Sequence, residues 1–279
     1  MSFFAYPDKK SYLVPDRCTV HTLSSPEQDA AGSLQKLARA LGADGVVPTL
    51  APASRPGRPR GRKLTSEKAC KAIGHLLPAN AILVDEAITS GLMLSKFTAG
   101  APRHDLITLT GGAIGQGLPS AVGAAIACPD RPVLALAGDG SSMYTVQALW
   151  TMAREKLNVT TVIFNNAAYA VLNIELERGG AAEPASGAKA RSRRDLAGPV
   201  INFAGLGRSL GVPSVRATTT EEFVQALERA LATPGPHLIE AMVPPSLSGL
   251  KLKMLPKILG SLDGLPQPLA RFLKRKIAP

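Results

Sequence analysis

The stretch Val133-Leu134-Ala135-Leu136-Ala137-Gly138-Asp139-Gly140-Ser141 decides how this chain is read. An unbroken apolar run of this kind forms a strand buried on both faces, as in a parallel sheet covered by helices. The run stops at an aspartate between two glycines. Glycine leaves room for the close approach of a ligand, so a carboxylate is held at the rim of the sheet with space beside it. A second apolar run follows at 159–164 (VTTVIF) and ends in Asn165-Asn166. One crossover helix over 144–156 fits between them. The two strand ends are therefore expected to be neighbours, with Asp139 and Asn166 facing each other.

Working outward, apolar runs alternate with helical stretches from residue 64 to about 245. Strands are expected over 81–85, 106–110, 133–137, 159–164, 212–217 and 237–243, with helices including 117–128, 145–156 and 220–232. The pattern predicts an α/β domain with an open parallel sheet and helices on both faces. Such sheets bind ligands outside the carboxyl ends of their strands. Ahead of it, 1–45 reads as an extended start, a strand around 18–23 and a helix over 27–41 with an acidic first turn and Gly42 at its end. The run 46–63 (VVPTLAPASRPGRPRGRK) reads as a Pro/Arg-rich linker. Residues 246–279 form a basic tail.

Composition removes several classes. The net charge of +11 resides in two places: five cations over 55–63, and seven over 251–276 against the single acid Asp263. The α/β region is thus neutral, and aromatic residues are scarce, which argues against nucleic acid. Cys18, Cys70 and Cys128 lack metal-ligand spacing, and an odd count suits a reducing compartment. The start has no signal-peptide pattern, and no apolar run approaches the about 20 residues of a membrane helix. A soluble cytoplasmic protein is expected. His21, His75, His104 and His237 share no spacing and are expected to be structural or exposed.

Magnesium prefers hard oxygen ligands in an octahedron and is completed by phosphate oxygens and water. One carboxylate, one amide oxygen and one backbone carbonyl at the two strand ends meet that need. The Gly140-Ser141 amides and hydroxyl, where the next helix starts, favour an anion. Gly-Asp-Gly alone is often a turn, and Asn-Asn alone often begins a loop. Their combination, at the ends of two apolar strands one helix apart, is far more specific.

GDGS…NN at this spacing resembles the diphosphate-binding signature of thiamine diphosphate (thiamine pyrophosphate) enzymes, in the acetolactate synthase and benzoylformate decarboxylase group. The resemblance extends through Gly111-Gly-Ala-Ile-Gly-Gln-Gly-Leu-Pro-Ser-Ala-Val-Gly123, the Tyr144…Ala148-Leu-Trp150 helix and Pro236-His-Leu-Ile-Glu240. It covers roughly 1–245 and is very specific over 81–175. It implies that Asp139 and Asn166 bind Mg2+ through their side chains and Ala168 through its carbonyl. It implies that Gly140, Ser141, Tyr169 and Thr89 contact the diphosphate. Ile114 would support the bent cofactor, and Gly112 would lie against its pyrimidine ring. Ala170 stands where the family often has glycine, and Ala167 is a plain residue after the asparagine pair. Neither change removes a side-chain ligand.

The resemblance also implies a second domain, usually from another chain, which holds the aminopyrimidine and supplies an activating glutamate. That domain normally precedes a central domain whose closing part is similar to FFAYPDKKSYLVP at 3–15. The expectation is a family member without its first half, acting on a 2-oxo acid as a homo-oligomer or with a pyrimidine-binding chain. Glu86 and Glu175 lie on the wrong half to replace the missing base. The alternatives are a truncated, non-catalytic remnant and an interaction module working through the tail. Over 178–199, where the family has a mobile segment, Arg191, Arg193 and Arg194 read as a solvated basic loop rather than a substrate trap. In the tail, Leu269, Phe272, Leu273 and Ile277 fall at helical spacing among cations. That pattern suits docking on protein, or contact with an anionic membrane surface.

Overall fold

The computed structural model describes residues 18–25, 27–47, 49, 53–172 and 196–244. The chain divides into two compact units, Met1–Pro52 and Ala53–Pro279.

In the first unit, α1 spans Ala30–Ala40, where a helix was expected. Asp29 caps it by accepting from the Gly32 N–H at 2.9 Å. Gly42, with φ of 67°, lies just past its end. None of its residues is buried. The strand expected around 18–23 is absent: those residues are exposed and pair with no other strand among the described residues. A strand exists only where a neighbour completes its hydrogen bonds.

In the second unit the elements run α2 (Ser66–Leu76), β1 (Ile82–Glu86), α3 (Leu94–Thr98), β2 (Asp105–Thr108), α4 (Gly117–Ala127), β3 (Val133–Gly138), α5 (Asp139–Thr145), α6 (Ala148–Arg154), β4 (Val159–Asn165), α7 (Phe203–Ser209), β5 (Ser214–Ala217), α8 (Thr220–Ala232) and β6 (His237–Met242). The strands form one six-stranded sheet in the order β2-β1-β3-β4-β6-β5. All five pairings are parallel. The expected open parallel α/β sheet is therefore present.

Side-chain alternation explains the layers. Leu134 and Leu136 of β3 enter one cluster with Ile73 of α2 and Phe223 and Leu227 of α8. Val133, Ala135 and Ala137 enter the other, with Leu118 of α4, Leu149 of α6 and Phe203 of α7. Burying one such leucine or phenylalanine contributes about 1.5–3 kcal/mol, so both faces of the sheet are held apolar by helices. Strand β2 is an edge, and all four of its residues are exposed.

Two local readings change. The crossover expected as one helix is two short ones, α5 and α6. At the joint the bonds tighten to Leu149 N–H on Val146 O and Trp150 N–H on Gln147 O. In the segment read as a linker, residues 53–63 belong to the second unit. Arg58 pairs with Glu228 and, at 3.0 Å, with Glu221, both on α8, and Arg55 donates to Leu77 O at 2.9 Å. Arg55 and Arg58 are thus partnered by a carbonyl and acids that only the fold brings near. No helix among the described residues is long and apolar enough to cross a membrane.

The strand order reverses between β1 and β3, because β1 leads out to β2 and the chain returns past it to β3. At such a switch point the loops diverge and leave a crevice at the carboxyl edge. The segments after β1, β2, β3 and β4 all emerge on that edge.

Candidate cofactor site at the strand ends

Asp139 opens α5 directly from the end of β3, and it is 3% exposed. Its Oδ1 accepts from the Gly140 N–H at 2.9 Å. Its Oδ2 accepts from the Asn166 N–H at 3.1 Å, across the paired ends of β3 and β4. The strand-end neighbours expected from the spacing are therefore in contact. Burial pushes the Asp139 carboxyl up, and the backbone N–H groups of Gly140, Ala167, Asn166 and Ala168 only partly offset this. Among the described residues no Lys, Arg or His is paired with it.

The two asparagines divide their work. Asn165, the last residue of β4, turns inward and is 2% exposed. Its Nδ2 donates to Glu240 Oε1 at 2.8 Å and to Ile201 O at 3.2 Å, and its Oδ1 accepts from the Ala167 N–H at 3.2 Å. Asn166 is half-buried at the crevice, with Oδ1 accepting from the Ala168 N–H at 3.0 Å. Ala167, between Asn166 and Ala168, has φ of 54°, a left-handed conformation that L-residues avoid. The Ala168 carbonyl accepts from the Ala170 N–H at 2.9 Å and keeps its second lone pair.

Tyr169 lies over Gly140 so closely that a β-carbon there would stand 2.3 Å from the ring. Ser141 is 6% exposed. Its hydroxyl reaches Gly138 O at 3.2 Å and Glu86 O at 3.4 Å, so it faces the backbone rather than open crevice.

The other expected residues come from β1 and β2. Thr89 is 9% exposed and follows Ile88, a β-branched residue held at φ of 46°. Strain of this kind persists only where surroundings enforce it. Gly112, at φ of 73°, has nothing within 4 Å of a would-be β-carbon, so its face is open. Ile114 is 36% exposed.

What sequence reasoning missed is the carboxylate that ties these loops together. Glu86 ends β1 at 1% exposure and accepts from the Gly115 N–H and, at 2.6 Å, from the Gly117 N–H. Gly115 in turn accepts from the Thr145 hydroxyl of α5 at 2.7 Å. Glu86 therefore suspends the 111–117 loop, which carries Gly112 and Ile114, beside the aspartate helix. An acidic residue closing an apolar strand was the available signal. Glu240 was likewise visible only as part of a similar motif. It is fully buried, and burial raises its carboxyl. Arg216 at 2.9 Å, the Ala204 N–H at 3.1 Å and Asn165 together outweigh that and bring it below the ordinary value. Glu175, Arg191, Arg193, Arg194, the 3–15 segment and the basic tail lie outside the described residues. His75, His104 and His237 are bound to backbone carbonyls of Pro56, Pro102 and Thr233.

The donor set at the crevice is a buried carboxylate with no ion-pair partner among the described residues, an amide oxygen and a backbone carbonyl. Among the described residues no group of three or more His, Cys, Asp or Glu side chains gathers. Hard oxygens of this kind suit Mg2+ rather than a soft metal.

Residues 89–241 match the model for the C-terminal TPP binding domain of thiamine pyrophosphate enzymes. The chain belongs to this family. Over 244 residues it is 54% identical to a Mycobacterium tuberculosis protein that carries the provisional name acetolactate synthase large subunit IlvX, a match covering 88% of this chain and 47% of that one. It is 33% identical over 181 residues to the benzoylformate decarboxylase of Pseudomonas aeruginosa, covering 64% of this chain and 32% of the relative. Among solved structures, the thiamine diphosphate-dependent 4-hydroxybenzoylformate decarboxylase of Rhodococcus jostii RHA1 aligns with a TM-score of 0.63 and 29% identity, over 76% of this chain and 39% of that one. The chain spans about half the length, or less, of these relatives. The thiamine pyrophosphate-binding fold is thus established, and Asp139, Asn166 and Thr89 lie within the matched region.

Proposed function

We propose that this chain holds the diphosphate and Mg2+ end of thiamine diphosphate, and supplies that half of a 2-oxo acid decarboxylase or carboligase site. The observation that carries the reading is Asp139, a desolvated carboxylate without a cationic partner among the described residues, fixed beside Asn166 at the end of a neighbouring strand. A bound cation offsets the cost of burying such a charge. In this reading Asp139 and Asn166 ligate Mg2+ through side-chain oxygens and Ala168 through its carbonyl. Gly140, Ser141, Tyr169 and Thr89 contact the diphosphate, with the Ser141 hydroxyl turning from Gly138 O to do so. Ile114 and Gly112 support the rest of the cofactor. When bound, thiamine diphosphate supplies a nucleophilic carbon and an electron sink for cleaving or forming the bond beside a 2-oxo group.

The second half of the proposal is a partner: a pyrimidine-binding domain, on another polypeptide or a second copy, that closes the crevice and supplies the activating acid. Leu92, Ile114, Met143, Tyr144 and Leu172 support it. Each follows a strand end on the carboxyl edge, and they are 52%, 36%, 43%, 58% and 46% exposed. Apolar side chains gathered on one edge mark a surface suited to protein contact. Glu86 does not take the role of that activating acid, because both its oxygens already accept backbone N–H groups.

Calorimetric titration of the chain with thiamine diphosphate, with and without Mg2+, tests the first half. Binding that needs Mg2+ and is lost in Asp139→Ala is expected, and binding indifferent to both would refute the metal assignment. Decarboxylation of 2-oxo acids by the purified chain alone would overturn the need for a partner.

A further inference from the structure

Adjacent residues at a strand end face opposite sides of the sheet, so only one of Asn165 and Asn166 can serve a ligand at the crevice. Asn165 shares its face with Ile163, two residues earlier, and Ile163 is in register with Glu240 of β6. Arg216 of β5 is the next residue across, in register with Glu240. The Glu240 carboxylate thus receives Arg216 Nε at 2.9 Å and Nη2 at 3.2 Å, the Ala204 N–H at the start of α7, and Asn165 Nδ2. Asn165 Nδ2 also donates to Ile201 O, which leaves its Oδ1 for one remaining donor, the Ala167 N–H. The amide of Asn165 is therefore fully committed, and it cannot flip without setting donors against donors.

We infer that Glu240, acting through Asn165, is a positioning residue that holds the 165–168 turn in the shape its two ligating groups need. The inference rests on the proposed Mg2+ role of Asn166 and Ala168. The logic is one of over-determination. Alanine at φ of 54° is disfavoured, and it sits between those two groups. The Ala167 N–H is held by Asn165 Oδ1 at 3.2 Å and also faces the Asp139 carboxyl, while its carbonyl accepts from the Leu196 N–H at 2.9 Å. Of these, the Asn165 bond is the one that ties the turn to the β6 strand. Asn165 is oriented in turn by a carboxylate some 75 residues away in sequence. The Glu240–Arg216 pair keeps that carboxylate ionised and stationary while it is fully buried. Partners one step behind a metal ligand set its orientation, and their loss typically weakens metal binding about 10–100-fold.

The test uses Asn165→Ala, Glu240→Gln and the double variant in the full chain. Ala230→Gly, on the opposite face of the sheet, serves as a control for general destabilisation. Two quantities are read: site-resolved amide exchange at Ala167 and Ala168 without ligand, and Mg2+-dependent thiamine diphosphate affinity by calorimetry. Asn165→Ala leaves the Glu240–Arg216 pair in place, so it carries the test if Glu240→Gln folds poorly. Expected is about tenfold or more faster exchange at Ala167, and affinity lower by about 10–100-fold. The β3 and β4 core amides and the control should be unchanged, and the double variant no worse than Asn165→Ala. Unchanged exchange at Ala167, unchanged affinity in variants of a chain that binds, or additive losses in the double variant would each overturn the inference. If the unsubstituted chain binds no cofactor, the proposed function fails, while the exchange readout still judges the Glu240–Asn165–Ala167 linkage on its own.

Discussion

Replacing Glu86 by alanine removes a side chain that joins β1 to the 111–117 loop by two hydrogen bonds. The Gly115 and Gly117 N–H groups both point at its carboxylate, and both glycines are buried. Each N–H left without an acceptor costs about 1–3 kcal/mol, so the pair sets a loss of about 2–6 kcal/mol, reduced where water enters the space. Glutamine keeps one acceptor and turns a donor toward the other N–H, so about half of that loss is expected for Glu86→Gln. Set against a typical stability of about 5–15 kcal/mol, the alanine variant remains folded but is visibly weakened. Urea denaturation at neutral pH reads the loss, and amide exchange at Gly115 and Gly117 shows where it falls. The same loop carries Gly112 and Ile114, so thiamine diphosphate affinity should fall along with it. A cost under about 1 kcal/mol, with loop exchange unchanged, would refute the account of Glu86 as the loop's anchor.

Gly140→Ala places a β-carbon 2.3 Å from the Tyr169 ring, which must swing aside; a stability cost of about 1–3 kcal/mol in urea and weaker thiamine diphosphate binding are expected. Asp139 is held above its ordinary value by burial, so the fold disfavours its charged form. Its contribution to stability is full below the ordinary carboxylate range and is lost as pH rises through the raised value. The thermal midpoint of Asp139→Asn should therefore gain on that of the unsubstituted chain as pH climbs from about 4 to neutrality. Mg2+ with thiamine diphosphate should reverse the difference, and a flat difference across that range would contradict the desolvation argument. Burial pushes the Cys70 thiol up to about 12, and its sulfur lies 3.4 Å from Ser90 O, whereas Cys18 is exposed. Peptide mapping after brief alkylation of the native chain at neutral pH should find Cys18 modified and Cys70 untouched until denaturant is added.

The sequence by itself determined the sheet and the place of the site along it. Buried parallel strands must be apolar on both faces, so their runs stand out, and five of the six strands begin within one residue of their expected starts with only small changes at their ends. The sixth, β5, starts at Ser214 rather than 212. A strand–helix–strand spacing with one crossover favours adjacent parallel strands, and the pairing of β3 with β4 brings Asp139 to Asn166. The crossover helix was legible as a connection but not as two pieces, because the tightened bonds at its joint depend on how Thr145 meets Gly115 from another loop. The spacing already set Asn166 opposite Asp139; what tertiary structure added is where Asn165 goes. The partner it turns to depends on the register of β4 with β6, and so on a glutamate 75 residues away. Tertiary structure also decided that Arg58 binds the domain rather than solvent, because the acids opposite it lie on α8, more than 160 residues away in sequence. Apolar burial is written locally, one residue at a time. The partners of a buried charge are written wherever the folded chain happens to return.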